Sequence, residues 1–301
     1  MGVANVIPGV SGGTIAFVTG IYERLINAIK SFDGTALKLA LGRNFRELWK
    51  YIDGNFLLAL MLGVIVSVVS LAKVLEVVLQ DDVYKIYVSA LFFGLIFASV
   101  WSVYKMVKKW SSGAIIGLLI GCAIAVGLAF MPQAQESKSI GYLLICGVVA
   151  MCSMIIPGVS GSFVLLLMGN YKLIMVDSVN ALRRGEMDAL SVLIPVGIGA
   201  VAGMAILSRV LSWLFKRFHD IAVASITGFV AGSLVTIWPW KKEVVETFTS
   251  GDKIKEKVID YDRYMPTMDH QFWVALGFAV IGVVLMVAVE IMGSKKEKVK
   301  A

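Results

Sequence analysis

Charged residues are scarce in this chain of 301 residues. Asp, Glu, Lys and Arg together make up 16% of it, apolar residues make up 58%, and the mean hydropathy is +0.83. A soluble domain carries about a quarter of its residues as charges. The scarcity excludes a soluble globular class. It predicts an all-α polytopic membrane protein, in which each helix satisfies its own backbone hydrogen bonds in lipid.

Cysteine and histidine are also few. Cys122, Cys146 and Cys152 lie in apolar runs without CxxC or Cys/His spacing, so they indicate small core residues and not a disulfide or a metal site. His219 and His270 stand in polar segments, and no Ser/His/Asp constellation is formed. The sequence therefore predicts neither an enzyme nor a cofactor. The net charge of +7 lies in short loops and the C-terminal tail, as membrane topology requires, and not in a nucleic-acid-binding patch.

Six apolar runs are each close to the ~20 residues that a membrane span needs. They cover residues 56–79, 84–104, 114–131, 190–215, 221–238 and 272–291. Inside them, Lys73 and Glu76 can pair with each other, and Arg209 can snorkel to the nearer helix end. Glycines four residues apart predict close packing within the chain, with a homodimer face as the alternative. These are Gly117 and Gly121, Gly199 and Gly203, and Gly228 and Gly232.

One sequence, Ile-Pro-Gly-Val-Ser-Gly, occurs twice, at 7–12 and at 156–161, in apolar surroundings. The match extends at the same offset to Gly20 and Tyr22, which align with Gly169 and Tyr171. Proline and glycine break a helix and free backbone groups that lipid cannot satisfy. After each break, nine or ten apolar residues give only ~15 Å of helix, about half of the hydrocarbon core. Each copy therefore predicts a re-entrant hairpin, and the short first arm suggests that the natural chain starts upstream.

The charge pattern favours two hairpins. With both motifs re-entrant, the basic loops fall on the side of the C-terminal tail, which the positive-inside rule assigns to the cytoplasm together with the N-terminus. One hairpin and three spans make an odd number of crossings, so the second half must be inverted. We expect one transmembrane domain over 1–292, with inverted repeats at 1–131 and 132–292, and a basic cytoplasmic tail at 293–301.

The paired breaks predict a midplane anion site. The first N–H groups of a half-helix lack intrahelical partners and lie at the positive end of its dipole, and hydroxyl groups add donors. Two facing termini can hold an anion without a buried Lys or Arg. The alternative is a tight turn in which Ser11 and Ser160 only cap helices. The candidate residues are Pro8, Gly9, Ser11, Gly12, Gly13, Thr14, Pro157, Gly158, Ser160, Gly161 and Ser162, with Arg24 at the first hairpin mouth to attract the anion.

These segments resemble the bacterial PopT family of polyprenyl-phosphate transporters over essentially the whole chain. The resemblance rests on the opening residues 1–14, on Thr-Gly-Ile-Tyr-Glu-Arg-Leu at 19–25, and on the echo at 155–162 and 169–171. It implies a flippase that returns undecaprenyl phosphate, the carrier of cell-wall precursors, to the inner leaflet of the bacterial cytoplasmic membrane. A secondary transporter of a small soluble anion is the alternative, and a channel or scaffold is a third class. Coupling to protons or sodium ions stays open.

Overall fold

The computed structural model of the chain is built almost entirely of helices. It describes residues 1–2, 12–250 and 253–298, without the side chains of 18, 68–69, 71–80, 243, 245–250, 253–260 and 292–298. The first half contains four short helices, α1 Gly12–Val18, α2 Tyr22–Lys30, α3 Gly34–Leu41 and α4 Phe45–Tyr51. Three long helices follow, α5 Gly54–Gln80, α6 Asp82–Tyr104 and α7 Ser112–Ala129.

The second half begins with α8 Ile140–Ile155 and the short α9 Gly161–Leu167. A π-helical stretch, Lys172–Ser178, leads into α10 Val179–Arg183, and one 3₁₀ turn, Met187–Ala189, precedes α11 Leu190–Arg217. The last two helices are α12 His219–Ser233 and α13 His270–Lys298. Helix α13 runs on to Lys298 and so includes the first residues of the expected basic tail.

The six predicted apolar runs all appear as helices, and the chain is an all-α polytopic membrane protein. Among the described residues, 4 helices are long and apolar enough to cross a membrane, or up to 6 if two bent pairs each count as one span. One prediction was too long. The run 221–238 was expected to be one span, but α12 ends at Ser233 and turns follow over 234–237.

The polar segment 241–270 holds an element that the sequence prediction missed. Strands β1 Lys241–Ser250 and β2 Lys253–Arg263 form an antiparallel two-stranded ribbon with an irregularity between Val244 and Val245. Its residues are highly charged, which is typical of a loop between membrane spans. Two strands with both faces polar can pair outside the membrane, where water solvates their edges.

Three pairs of long helices pack closely: α6 with α13, α7 with α12, and α8 with α11. Each crossing contains two glycines, one from each helix. Each glycine lies against a carbonyl oxygen of the other helix, and that oxygen belongs to the residue three positions before the partner glycine. The pairs are Gly94 with Gly282, Gly121 with Gly228, and Gly147 with Gly199. A Cβ at any of these positions would collide with the backbone of the neighbouring helix. The predicted glycine packing within the chain is therefore confirmed.

The paired helices run parallel. In the α8–α11 pair, for example, Gly199 faces Leu144, whereas Gly203, one turn later, faces Val148. The same order of contacts holds in the α6–α13 and α7–α12 pairs. Two parallel helices both start at the same end of the bundle. The chain that connects them must therefore return to that end before the second helix begins.

The bundle has two distinct ends. At one end, Asp220 at the start of α12 accepts hydrogen bonds from the backbone N–H groups of Lys108 and Lys109, both at 3.1 Å. We call this the basic end. At the other end, the Arg263 guanidinium of the ribbon donates to the carbonyls of Ala129 at 2.9 Å and Val235 at 3.0 Å, where α7 and α12 finish. We call this the ribbon end.

Candidate functional site

The second motif forms a helical hairpin. Helix α8 ends at Ile155, and the buried Pro157 and Gly158 turn the chain into α9. Gly158 has φ +105, a conformation that favours glycine. A Cβ on Gly161 would meet the Ala150 carbonyl at 2.8 Å, so α9 lies directly against α8.

The two arms of this hairpin finish at the same end of the bundle. The N–H of Ala134, which precedes α8, donates to the Leu167 carbonyl at 2.7 Å, and the Tyr142 hydroxyl of α8 donates to the Met168 carbonyl at 2.8 Å. Asn170 is completely buried and bonds through both amide atoms to the backbone of Ser137. Helix α9 therefore finishes at the end of the bundle where α8 starts, and the chain then bends by 109°.

Part of the first motif lies outside the described residues, namely Pro8, Gly9 and Ser11. Gly12, Gly13 and Thr14 are buried and start α1. After a turn with φ +73 at Gly20, α2 continues at the basic end. There, Glu23 lies 3.5 Å from Nε2 of His219 at the α11–α12 junction. The mouth of the first motif therefore lies at the basic end, and the mouth of the second at the ribbon end.

The two motif segments meet inside the protein. The N–H of Gly158 donates to Oγ1 of Thr14 at 2.8 Å, although 144 residues separate them. The Tyr22 hydroxyl donates to the Ile155 carbonyl, just before the second break, at 3.0 Å. Thr14 has 0% and Tyr22 has 2% of its surface exposed. Two candidate residues from separate motifs, Thr14 and Gly158, are thus linked directly. Tyr22 provides a second link, although the repeat marks it only as an aligned position and it is not among the predicted site residues.

The serines of the second motif do not act as helix caps. Ser160 occupies the N-cap position of α9, yet its side chain makes no capping hydrogen bond. Its hydroxyl lies 2.6 Å from the hydroxyl of Ser162 instead. Ser160 is half-buried and Ser162 is exposed. For Ser160, the alternative prediction of a capping role is therefore wrong, because its hydroxyl is directed toward a second hydroxyl at the surface.

Arg24 is an exposed residue with a partner of its own. Its guanidinium bonds both carboxylate oxygens of Asp53, with Nε at 2.5 Å and Nη2 at 2.9 Å, and stacks 4.4 Å over the Phe56 ring. The hydrogen bond from Arg24 holds the pKa of the Asp53 carboxyl below its ordinary value. Arg24 lies at the mouth of the first motif as predicted, but its charge is partly neutralised.

The charged residues predicted inside spans have different outcomes. The side chains of Lys73 and Glu76 lie outside the described residues. Arg209 was expected to snorkel toward the nearer, C-terminal end of its helix. Its guanidinium instead donates at 2.8 Å to the Ala205 carbonyl, one turn toward the N-terminus. Helical side chains point in that direction because the Cα–Cβ bonds tilt toward the N-terminus.

The described part of the chain offers no alternative site built on a metal. It contains no group of three or more His, Cys, Asp or Glu side chains that could hold an ion. The linked motifs are therefore the strongest candidate site. Their N–H groups and hydroxyls are hydrogen-bond donors of the kind that bind anions.

Together the fold and the linked breaks define a polytopic membrane protein with paired broken helices, the construction of many secondary transporters. A family model described as undecaprenyl phosphate translocase-like matches residues 1–254. The chain belongs to this family.

Two curated relatives are polyprenyl-phosphate transporters. The protein from Vibrio cholerae serotype O1 is 36% identical over 242 residues, which cover 80% of this chain and 76% of the relative. The protein from Staphylococcus aureus is 28% identical over 253 residues, which cover 79% of this chain and 83% of the relative. Both relatives and the family are named as transporters and not as enzymes. No solved structure matches the chain.

Proposed function

We propose that this protein moves undecaprenyl phosphate across the bacterial cytoplasmic membrane and so recycles the carrier lipid. The observation that carries the proposal is the 2.8 Å hydrogen bond from Gly158 to Thr14, which joins the two motif breaks. The family and the names of the two relatives support the substrate class. In this proposal the phosphate binds where the two breaks meet.

The chemistry of the proposed site rests on donors. The start of α9 supplies backbone donors, because a helix start leaves its first N–H groups without intrahelical partners. The hydroxyls of Ser160 and Ser162 add two more groups in reach of the second break. Each helix start carries about half a positive charge, so two of them favour a phosphate over a neutral headgroup.

An inverted repeat would explain why the breaks meet. The α6–α13 and α7–α12 crossings have the same reciprocal glycine geometry, and exchange of the two repeats converts one crossing into the other. Mouths at opposite ends fit the same arrangement. We further propose that the basic end faces the cytoplasm, because it collects lysines from three connecting segments. They include Lys30, Lys108, Lys109 and Lys216.

Exposure of the second break favours a lipid over a small soluble anion. Ser162 is exposed, and Met154, which lies against Gly161, has 50% of its surface exposed. A site for a soluble anion would be enclosed by protein. A lipid needs an opening on the side of the protein, so that its tail stays in the membrane while the headgroup binds.

Transport in proteoliposomes tests the proposal. We expect the full chain to move fluorescent polyprenyl phosphate between leaflets and to leave fluorescent polyprenol where it is. Ser160→Ala combined with Ser162→Ala should slow transport about tenfold or more, because each lost hydrogen bond to a charged group is worth about 1.5–3 kcal/mol. Ser191→Ala is the matched control, since that exposed serine bonds only the Asp188 carbonyl of its own turn.

Two results would contradict the proposal. Equal movement of polyprenyl phosphate and polyprenol would show that the phosphate is not recognised. Normal transport by the Ser160/Ser162 double variant at normal expression would remove these hydroxyls from the site.

A further inference from the structure

A cavity separate from the linked motifs lies at the basic end between α2 and α11. Its volume is about 210 Å³, and it is lined by Glu23, Ile26, Asn27, Ser212, Phe215 and Lys216. One wall is polar and charged. The other wall is apolar, because Ile26 and Phe215 present side chains that belong to the main buried cluster. A cavity with these two walls suits an amphiphile better than a simple ion.

A network of polar groups crosses the charged wall. Nζ of Lys30 donates to Oγ of Ser212 at 3.2 Å, and Oγ of Ser212 donates to Oδ1 of Asn27 at 3.4 Å. Ser212 is buried and Lys30 is half-buried. The ammonium group of Lys30 is thereby held against Ser212, a residue of the cavity wall, and it keeps donors that the serine does not use, since a lysine ammonium has three.

Lys216, which lines the cavity, and Lys30, which bonds the lining residue Ser212, lack a carboxylate partner among the described residues. Neither Lys30 nor Lys216 takes part in an ion pair there, whereas Lys105 and Lys172 each do. The one carboxylate in the cavity wall, Glu23, instead lies 3.5 Å from the His219 ring. One cation in the wall, Lys216, and one beside it, Lys30, can therefore meet an incoming anion.

Positive charge continues from the cavity along α11. Arg209, Ser212 and Lys216 stand at positions i, i+3 and i+7, so they share one face of the helix. Arg209 bonds the carbonyl of Ala205 and has no carboxylate partner among the described residues. Two neighbours of Arg209 on the helix, Ile206 and Val210, have 61% and 50% of their surface exposed. A cationic stripe beside exposed apolar side chains gives a phosphate a path along the lipid-facing side.

Aromatic rings separate this cavity from the linked motifs. Phe17, Tyr22 and Phe215 pack together with ring centroids 5.1–6.4 Å apart. Phe215 lines the cavity, and the Tyr22 hydroxyl reaches Ile155 beside the second break. A headgroup in the cavity would thus be near the motif site but not in it.

We propose that the cavity is a second binding site for a phosphomonoester with an apolar tail. The phosphate binds between Lys30 and Lys216, and the first carbons of the tail lie against Ile26 and Phe215. The identity of that lipid as the transported substrate rests on the proposed function, but the site itself does not. Because the cavity lies at the basic end, the headgroup would bind there as it passes between the protein and the membrane surface at that end.

Binding of geranyl phosphate, a short soluble analogue, to the detergent-purified full chain tests this proposal. Isothermal titration should show tight binding of geranyl phosphate, weaker binding of inorganic phosphate and no binding of geraniol. Lys30→Gln with Lys216→Gln should weaken geranyl phosphate binding by about tenfold or more, since charged hydrogen bonds of this kind are lost. Lys38→Gln with Lys50→Gln is the matched control, because it removes the same charge from exposed lysines of the neighbouring connection.

Three more variants sharpen the test. Glu23→Gln should tighten geranyl phosphate binding, because it removes a like charge from the wall. The titrations are repeated with Ser160→Ala and Ser162→Ala, which alter the motif site, and the dependence on Lys30 and Lys216 should persist. In a chain with Cys122→Ala, Cys146→Ala and Cys152→Ala, geranyl phosphate should protect Asn27→Cys from maleimide labelling.

Distinct results overturn distinct statements. Unchanged binding by the Lys30/Lys216 variant, or equal loss in the Lys38/Lys50 control, refutes the cavity site. Equal affinity for inorganic phosphate and geranyl phosphate refutes the apolar wall as a tail site. If the wild type transports polyprenyl phosphate and the Lys30/Lys216 variant still binds geranyl phosphate normally, the cavity site is refuted and the proposed function stands. If geranyl phosphate binding depends on Lys30 and Lys216 but the wild type does not transport polyprenyl phosphate, the proposed function is refuted and the cavity site stands.

Discussion

Thr14→Val removes the acceptor that links the two motifs. Valine has almost the same shape as threonine, so packing is kept while the Gly158 N–H loses its partner. Gly158 and Thr14 are both buried, and water cannot replace the hydroxyl. A buried donor left unsatisfied costs about 1–3 kcal/mol. We expect the free energy of unfolding to fall by that amount, and transport to fall with it if the contact holds the breaks together.

Unfolding in mixed detergent micelles measures the change, and amide hydrogen exchange localises it. Exchange at Gly158 should speed up in Thr14→Val but not in Thr14→Ser, which keeps Oγ and loses only a methyl group. Thr19→Val is the matched control, because the Thr19 hydroxyl bonds Ile15 of its own helix and the Thr19 N–H still satisfies that carbonyl. If Thr14→Val and Thr19→Val behave alike in both measurements, the contact between the breaks does not stabilise the fold.

Three further predictions concern packing, charge and topology. Gly282→Ala should destabilise the protein by about 1–3 kcal/mol, because its Cβ would collide with α6, whereas Gly277→Ala on the same helix meets nothing and should be neutral or slightly stabilising in the same unfolding assay. Arg24→Gln should slow the capture of anionic lipid at low salt and Asp53→Asn should speed it, and persistence of either effect at high salt would refute electrostatic steering. The pair itself should add less than 1 kcal/mol of stability, present above the ordinary Asp pKa and lost as the pH falls through the lowered Asp53 pKa. Cysteines placed at Asn44 and Ser250 should be labelled from opposite sides of the membrane. Labelling of both cysteines from the same side would refute the inverted arrangement.

The sequence predicted the helices well because their signal is simple. Membrane spans need long apolar runs, and the six runs became α5, α6, α7, α11, α12 and α13. The repeated Pro-Gly pair likewise predicted the break at Pro157 and Gly158, since proline lacks the N–H of an intrahelical hydrogen bond and glycine accepts the positive φ of this turn. Both signals are local, so neither requires knowledge of what packs against what.

Long-range features were beyond the reach of such signals. Nothing in the sequence indicates that Thr14 accepts from Gly158, that Arg24 pairs with Asp53, or that Lys30 reaches Ser212. Each contact joins segments whose relative position depends on the whole bundle. The ribbon was missed for a different reason. Its apolar residues stand singly or in pairs between charged and polar ones, and a search for long apolar runs passes over them.

The parallel packing of α8 and α11 gives an argument for re-entrance that does not depend on the motif. If α8 and α9 together crossed the membrane, the chain would leave at the basic end, and α11 would have to run antiparallel to α8. Because the two helices run parallel, the chain between them must return to the ribbon end. Helix α2 and the start of α5 meet at the basic end through Arg24 and Asp53, so the first motif opens there.

A contact between the two breaks then lies between two opposite entrances. The returning helices α1 and α9 have 7 residues each. Such a helix is ~10 Å long, which places its start well inside the ~30 Å hydrocarbon core when its other end is near the surface. A ligand at the breaks would be about equally far from both ends. In the proposed transporter, alternating access would require a binding site at this position.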